Sequence, residues 1–341
     1  VTNLELPPIL FGTSGLGNLY VALSDTDKKD IVAECIRHSK KPVVFDSAGK
    51  YGAGLALESL GKCLRRLRVA PDEVLISNKL GWLRTELTTS EPTFEPGVWK
   101  ELQYDARQKI SYDGILECFE QGNMLLNGYQ AQLVSVHDPD EYLAGAADQA
   151  DKEQRYRDIL GAYSALAELK ESGKVKAVGI GSKDWRVIER ISRDVQLDWV
   201  MIANSMTVHS HPRELVIFMK KLESSGVAII NSAVFNGGFL TGSDYYNYQA
   251  VDPENHAALY RWRTAFDQLC LAYQLRPAEV AAYFGLKAPG VKSIALNTTN
   301  PKRVADNIAM AAVKIPPEFW RVMRTQGLMD ESYPYEYLNE D

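Results

Sequence analysis

The chain has 341 residues, 45% of them hydrophobic, enough to bury a large core, and its net charge is -6 with a pI near 5.6. That balance argues against a nucleic-acid partner, which would normally call for a basic face. No apolar run is long enough for a membrane span, and the cysteines (Cys35, Cys63, Cys118, Cys270) lack the close spacing of a metal or redox site. Val1 to Pro8 shows no basic and then apolar leader, so a cytoplasmic location is expected.

Pro8 to Gly12 reads as a first strand, and Gly12-Thr13-Ser14-Gly15-Leu16-Gly17 follows it. This is a poor Rossmann turn, because no helix starts directly on the glycines. Its small residues, Gly12 and Thr13 first, would let a cofactor approach closely. A helix is expected over Asp25 to His38, then a buried β-branched strand, Val43-Val44-Phe45-Asp46. Leu55, Leu57, Leu60 and Leu64 give Gly54 to Arg66 a helical period, and the strand Val74 to Lys79 comes next. Residues 81–111, with Trp82, Pro92, Pro96 and Trp99, read as a long irregular loop that would wall a substrate pocket.

Tyr112 to Leu126 is expected to be helical, Gln132 to His137 a strand, and 144–155 a polar loop. A helix over Arg157 to Ser172 stops at Gly173, and Val175 to Gly181 is the next strand. Asp184 to Arg193 (helix), Trp199 to Ala203 (strand), Pro212 to Ser224 (helix) and Gly226 to Asn231 (strand) follow. The last elements are helices over Glu254 to Tyr273 and Ala278 to Leu286, strand Val291 to Ala295 and helix Pro301 to Ala311. Residues 318–341 read as an aromatic and acidic tail. Strands alternating with helices imply parallel βαβ units, and near-continuous apolar strands imply a sheet covered on both faces. Pattern alone leaves a barrel and a flat doubly wound sheet both open.

The strands end in chemistry. The first carboxyl-end residue after the opening strand is Asp46, with Tyr51 shortly beyond it; the next two strands end in Lys79 and His137. Parallel folds gather such ends on one face, where active sites are built. A phenol is a poor base because its free pKa is about 10, and a nearby cation lowers it. Lys79 beside Tyr51, held by Asp46, would therefore make a proton acceptor, and His137 would orient a substrate oxygen.

Asp46, Tyr51, Lys79 and His137, in that order and setting, resemble the catalytic tetrad of the aldo-keto reductase family. The resemblance covers nearly the whole chain. It implies one (β/α)8 TIM-barrel domain over 1–341, with 81–111 as an insertion after the third strand, and a nicotinamide cofactor. By the same resemblance Phe235 stacks on the nicotinamide, while Ser182 and Asn204 bind its carboxamide. The loop Val234-Phe235-Asn236-Gly237-Gly238-Phe239-Leu240 is a candidate phosphate cradle after the seventh strand. Residues 297–307 resemble the adenosine-phosphate segment: Arg303 and Asn307 match it, Asp306 stands for its glutamate, and Asn297 and Thr298 occupy its lysine and serine positions. Asn297 stands where the family carries a lysine for the 2′-phosphate, so NAD is expected over NADP, with NADP use possible.

Ser111 to Leu116, His137-Asp138-Pro139-Asp140 and Gly179 to Trp185 resemble the aldose 1-dehydrogenase branch, of L-fucose or D-threo-aldose type. That implies oxidation of a sugar hemiacetal to a lactone, with Trp82, Trp99, His209 and Asn236 as substrate-wall candidates. General aldehyde reduction and pyridoxal oxidation are the alternatives within the family. A non-catalytic nucleotide-binding accessory protein is the alternative outside catalysis, with Tyr333 to Tyr337 as a partner strip. The expected state is a monomer or small homo-oligomer. Tyr283-x-x-x-Lys287 has the short-chain dehydrogenase spacing by chance, and His209 and His211 have no third metal ligand near them in sequence.

Overall fold

The computed structural model describes residues 4–334 and 336–339. Its strands are β1 (Ile9–Gly12), β2 (Val43–Ala48), β3 (Val74–Leu80), β4 (Trp82–Glu86), β5 (Tyr104–Gln108), β6 (Leu133–His137), β7 (Ala177–Ser182), β8 (Trp199–Ala203), β9 (Ala228–Ser232), β10 (Tyr245–Tyr246), β11 (Gln249–Ala250) and β12 (Val291–Leu296). Strands β1, β2, β3, β6, β7, β8, β9 and β12 pair in parallel and close on themselves as a barrel. This is the (β/α)8 architecture, and closure removes the doubly wound alternative.

Helices cover the outside: α1 (Asp25–His38), α2 (Leu55–Arg66), α3 (Tyr112–Leu125), α4 (Pro139–Ala144), α5 (Gln149–Glu171), α6 (Trp185–Ile191), α7 (Arg213–Ser224), α8 (Ala257–Ala272), α9 (Pro277–Leu286), α10 (Val304–Ala309) and α11 (Pro317–Thr325). Caps set several starts. The Ser24, Ser111 and Asp148 side chains accept backbone N–H groups in the first turns of α1, α3 and α5. Among the described residues, no helix is long and apolar enough to cross a membrane.

Inside the barrel, side chains alternate in layers. Leu10, Val44, Leu75, Leu133, Ala177, Trp199, Met201, Ala228 and Ile230 form the inner apolar cluster. Trp199 fills the middle, and only a glycine fits opposite it: a Cβ on Gly179 would lie 2.1 Å from the indole ring. The larger cluster lies between the outer faces of the strands and the helices.

Three expectations need correction. Residues 81–111 are not an irregular loop: β4 and β5 form an antiparallel ladder from Trp82↔Gln108 to Glu86↔Tyr104. The prolines that suggested irregularity sit in the segment joining the two strands. The polar stretch 144–155 is mostly helix, because α5 begins at Gln149. Its first turns are exposed, so they carry no apolar period. Residues 318–341 are not simply a tail, since Phe319, Trp320 and Met323 of α11 are fully buried. Tyr333 is buried as well, and Tyr335 of the expected partner strip lies outside the described residues.

Candidate active site

Period-two alternation brings the chemistry together. Val44, Asp46 and Ala48 share one face of β2; Leu75, Ser77 and Lys79 share one face of β3; Leu133, Ser135 and His137 share one face of β6. The lower members are in the inner cluster, so the upper ones face the barrel mouth. The ladder sets Asp46 against Ser77, Ala48 against Lys79 and Lys79 against Ser135. Tyr51 arrives by a turn, its N–H donating to the Ala48 carbonyl over 3.1 Å. Gly52 permits that turn: its φ is +60°, and a Cβ there would meet the Gly17 carbonyl oxygen at 2.2 Å.

The Lys79 ammonium is the hub. It donates to an Asp46 carboxylate oxygen and lies 3.1 Å from the Tyr51 hydroxyl. Ser77 Oγ donates to the other Asp46 oxygen at 3.0 Å, fixing the carboxylate. Asp46, Lys79 and His137 are all buried. The His137 ring meets the Tyr51 ring edge-on at 5.5 Å, and its buried Nδ1 has no protein partner.

Burial disfavours the Lys79 ammonium, but Asp46 and Tyr51 outweigh it and raise its pKa. Burial raises the Tyr51 phenol, and Lys79 pulls against that without cancelling it. Burial, then Lys79, Lys50 and Lys183, push His137 well below its usual range, so it is a neutral imidazole. A neutral ring can donate one hydrogen bond to a substrate oxygen without changing the charge of the site.

Two connected chambers open above this hub. The outer one is a cleft of about 820 Å³ lined by Gly12, Tyr51, Phe235, Gly237, Gly238 and Asn297 among others. The inner one, about 290 Å³, holds Tyr51, Lys79, Trp99, His137 and Ser182. Trp99 faces Tyr51 at 5.9 Å between ring centroids, making an aromatic wall.

Other expected residues sit apart from these surfaces. Thr13 is buried and donates to the Asp46 carbonyl, which supports the strand end instead of a ligand. Asn236 and Leu240 are buried beneath the β9 loop, where Asn236 donates to Asn247. Asn204 is buried at the end of β8, and its Oδ1 has no protein partner. Thr298 and Asn307 line a small crevice beside Thr13, while Arg303 and Asp306 lie on the segment entering α10. Trp82 and His209 line neither chamber. The His209 ring instead packs against Trp262 at 4.7 Å and Nδ1 contacts the Tyr246 hydroxyl at 2.8 Å.

Several residues of the inner chamber were given no site role from the sequence. Lys50, adjacent to Tyr51, lies 2.7 Å from Glu95 and 3.1 Å from Glu141. Lys183 pairs with Glu141 and sits 4.0 Å from Asp138. Burial raises Asp138 to about 6. Tyr248 reaches in from the turn between β10 and β11. These groups come from five distant stretches of chain, and nothing local marks them as neighbours.

A model of the aldo/keto reductase family matches residues 8–325, and the chain belongs to that family. It is 28% identical to a pyridoxal 4-dehydrogenase from Microbacterium luteolum, over 96% of each chain. It is 25% identical to a D-threo-aldose 1-dehydrogenase from a Pseudomonas species, over 93% of each chain. Its fold is similar to an aldo-keto reductase from Bacillus halodurans in the holo form (TM-score 0.67, 17% identity, covering 97% of this chain and 95% of that one). A glycerol dehydrogenase from Gluconobacter oxydans is similar too (TM-score 0.68, 14% identity, 93% and 90% covered). The protein is an oxidoreductase of this family, whose members use nicotinamide cofactors.

Proposed function

We propose that the protein oxidises a cyclic hemiacetal to a lactone with NAD(P), the hemiacetal being that of a small aldose. The observation that carries this reading is the Lys79 ammonium held between Asp46 and the Tyr51 hydroxyl where the two chambers meet.

The outer chamber suits a dinucleotide. Its volume lies within the roughly 300–1,000 Å³ range of ligand clefts. Gly237 and Gly238 line it with left-handed backbone, and Asn204, buried at the end of β8, keeps an oxygen with no protein partner. When bound, the nicotinamide supplies a hydride acceptor. Phe235 would pack against its ring. Ser182 lines the inner chamber and Asn297 the outer one; by the family resemblance Ser182 would meet the carboxamide, and Asn297, Arg303, Asp306 and Asn307 the adenosine end.

The chain's own part is proton handling. Tyr51, with its phenolate stabilised by Lys79, takes the proton from the hemiacetal hydroxyl. Asp46 keeps Lys79 in place. Neutral His137 donates to the same oxygen and aligns it. Trp99 offers a flat face to a sugar ring, and Lys50, Glu95 and Asp138 offer donors and acceptors for its hydroxyls.

Pyridoxal is the second reading, favoured by the 28% relative. It also closes to an internal hemiacetal, so the same chemistry applies. The test is cofactor reduction followed by absorbance with L-fucose, D-arabinose, D-galactose, pyridoxal and simple alcohols. Turnover of aldoses above the rest supports the first reading, and turnover of pyridoxal alone replaces it with the second. Nucleotide binding with no turnover of any alcohol or aldehyde would point to the accessory-protein reading.

A further inference from the structure

Lys50, Lys79 and Lys183 all have carboxylate partners. Lys100 does not: its ammonium donates only to the Gly97 carbonyl at 2.7 Å, and no carboxylate of the described residues lies within ion-pair distance. Lys100 is also the one basic side chain among the described residues lining the outer chamber. Lys100 is half-buried as a residue and its bond to Gly97 is exposed, so an anion in the cleft can reach its ammonium.

The backbone around it is firmly held. Lys100 N–H donates to the Asn18 carbonyl at 3.0 Å, and the Asn18 side chain donates back to the Lys100 carbonyl at 3.0 Å. Tyr20 N–H donates to the Val98 carbonyl at 2.9 Å, and Trp99 is buried next door. The segment joining β4 to β5 is thereby stitched to the loop after β1, and it lines the same cleft as Gly237 and Gly238. The hydrogen bond to Gly97 uses one ammonium proton and leaves two.

We infer that Lys100 binds the pyrophosphate of the dinucleotide in the cleft that the Gly237-Gly238 turn also lines. This rests on the cofactor reading of the outer chamber. The insertion is then part of the cofactor site as well as a substrate wall. A charge-assisted contact to a doubly charged pyrophosphate accounts for roughly ten- to hundredfold in affinity.

The experiment measures the Kd of NADH by its fluorescence and of ADP-ribose by calorimetry, for the wild type and for Lys100→Ala, Lys100→Arg and Lys62→Ala. Lys62 is an exposed lysine on α2 and controls for net charge. Expected are a roughly ten- to hundredfold weaker Kd for Lys100→Ala with both ligands, recovery in Lys100→Arg, and no change for Lys62→Ala. The dependence of Kd on salt should also flatten in Lys100→Ala, which a purely structural defect would not produce. Equal affinity of wild type and Lys100→Ala overturns the inference and leaves the cofactor reading intact. Failure of the wild type to bind either ligand overturns both.

Discussion

Tyr51 is pulled two ways, and its balance predicts a pH profile. Burial raises its pKa and Lys79 lowers it, with burial ahead. Oxidation needs the phenolate, so kcat should climb with pH on the alkaline side and level off above the phenol's pKa. Tyr51→Phe should lose about 10²–10⁴-fold in kcat with the NADH Kd unchanged, read by steady-state turnover and fluorescence titration. Replacing Lys79 alone would strand Asp46 as a buried unpaired charge, at a cost of about 3–5 kcal/mol. The double variant Lys79→Met with Asp46→Asn avoids that, and its kcat–pH rise should move to higher pH. Asp46, Lys79 and His137 were legible because each lies near the carboxyl end of an apolar strand, and Tyr51 because it follows the first of these strands. Lys50, Glu95 and Lys183 were not, because their meeting depends on where the β4–β5 insertion folds back.

The elements outside the barrel were harder to read, for physical reasons that differ. β4 and β5 pair across a long connection, and cross-strand pairing leaves no local period. The start of α5 is solvated, and a helix turn with no buried face shows no apolar stripe. The α11 stretch does have one: Phe319, Trp320 and Met323 are fully buried. Trp320→Ala should therefore cost about 3–5 kcal/mol by denaturant unfolding. His211 ties the following segment to the barrel. Its Nδ1 donates to the Thr207 carbonyl at 3.0 Å, and its Nε2 accepts from the Asp330 N–H at 3.0 Å. That second bond needs a neutral ring, and burial lowers the His211 pKa against weaker pulls from the Thr207 carbonyl and Asp330. The stabilisation is complete above the ordinary histidine pKa of about 6.5 and is lost as pH falls through the lower folded value. Thermal melts should show Tm falling below pH 6.5 in the wild type and falling less in His211→Gln, whose amide can bond at both ends but does not titrate.

At the scale of the whole molecule, we propose that charge decides between the two cofactors. The barrel itself was readable from alternating strands and helices, and its closure supplied what pattern could not. The adenosine end was readable only through the family resemblance, and the proposed preference for NAD rests on the side chains found there. Asn297 donates to Ser14 Oγ at 2.7 Å and Thr298 to the Asn300 carbonyl at 3.1 Å, so both side chains are engaged in shaping the loop. Arg303 is the cation that remains near a 2′-phosphate, in a chain whose net charge is -6. A 2′-phosphate adds up to two negative charges to a ligand already repelled at long range, and one arginine offsets only part of that. The kcat/KM for NAD should exceed that for NADP by about tenfold at low salt, one exposed charge contact being of order 1 kcal/mol. The long-range part of that gap is screened, so raising ionic strength should narrow it. Arg303→Ala should widen it by penalising NADP alone, and Asn297→Lys should close it. A higher kcat/KM with NADP than with NAD, or a ratio that ignores both salt and Arg303, would show that discrimination lies elsewhere than in this segment.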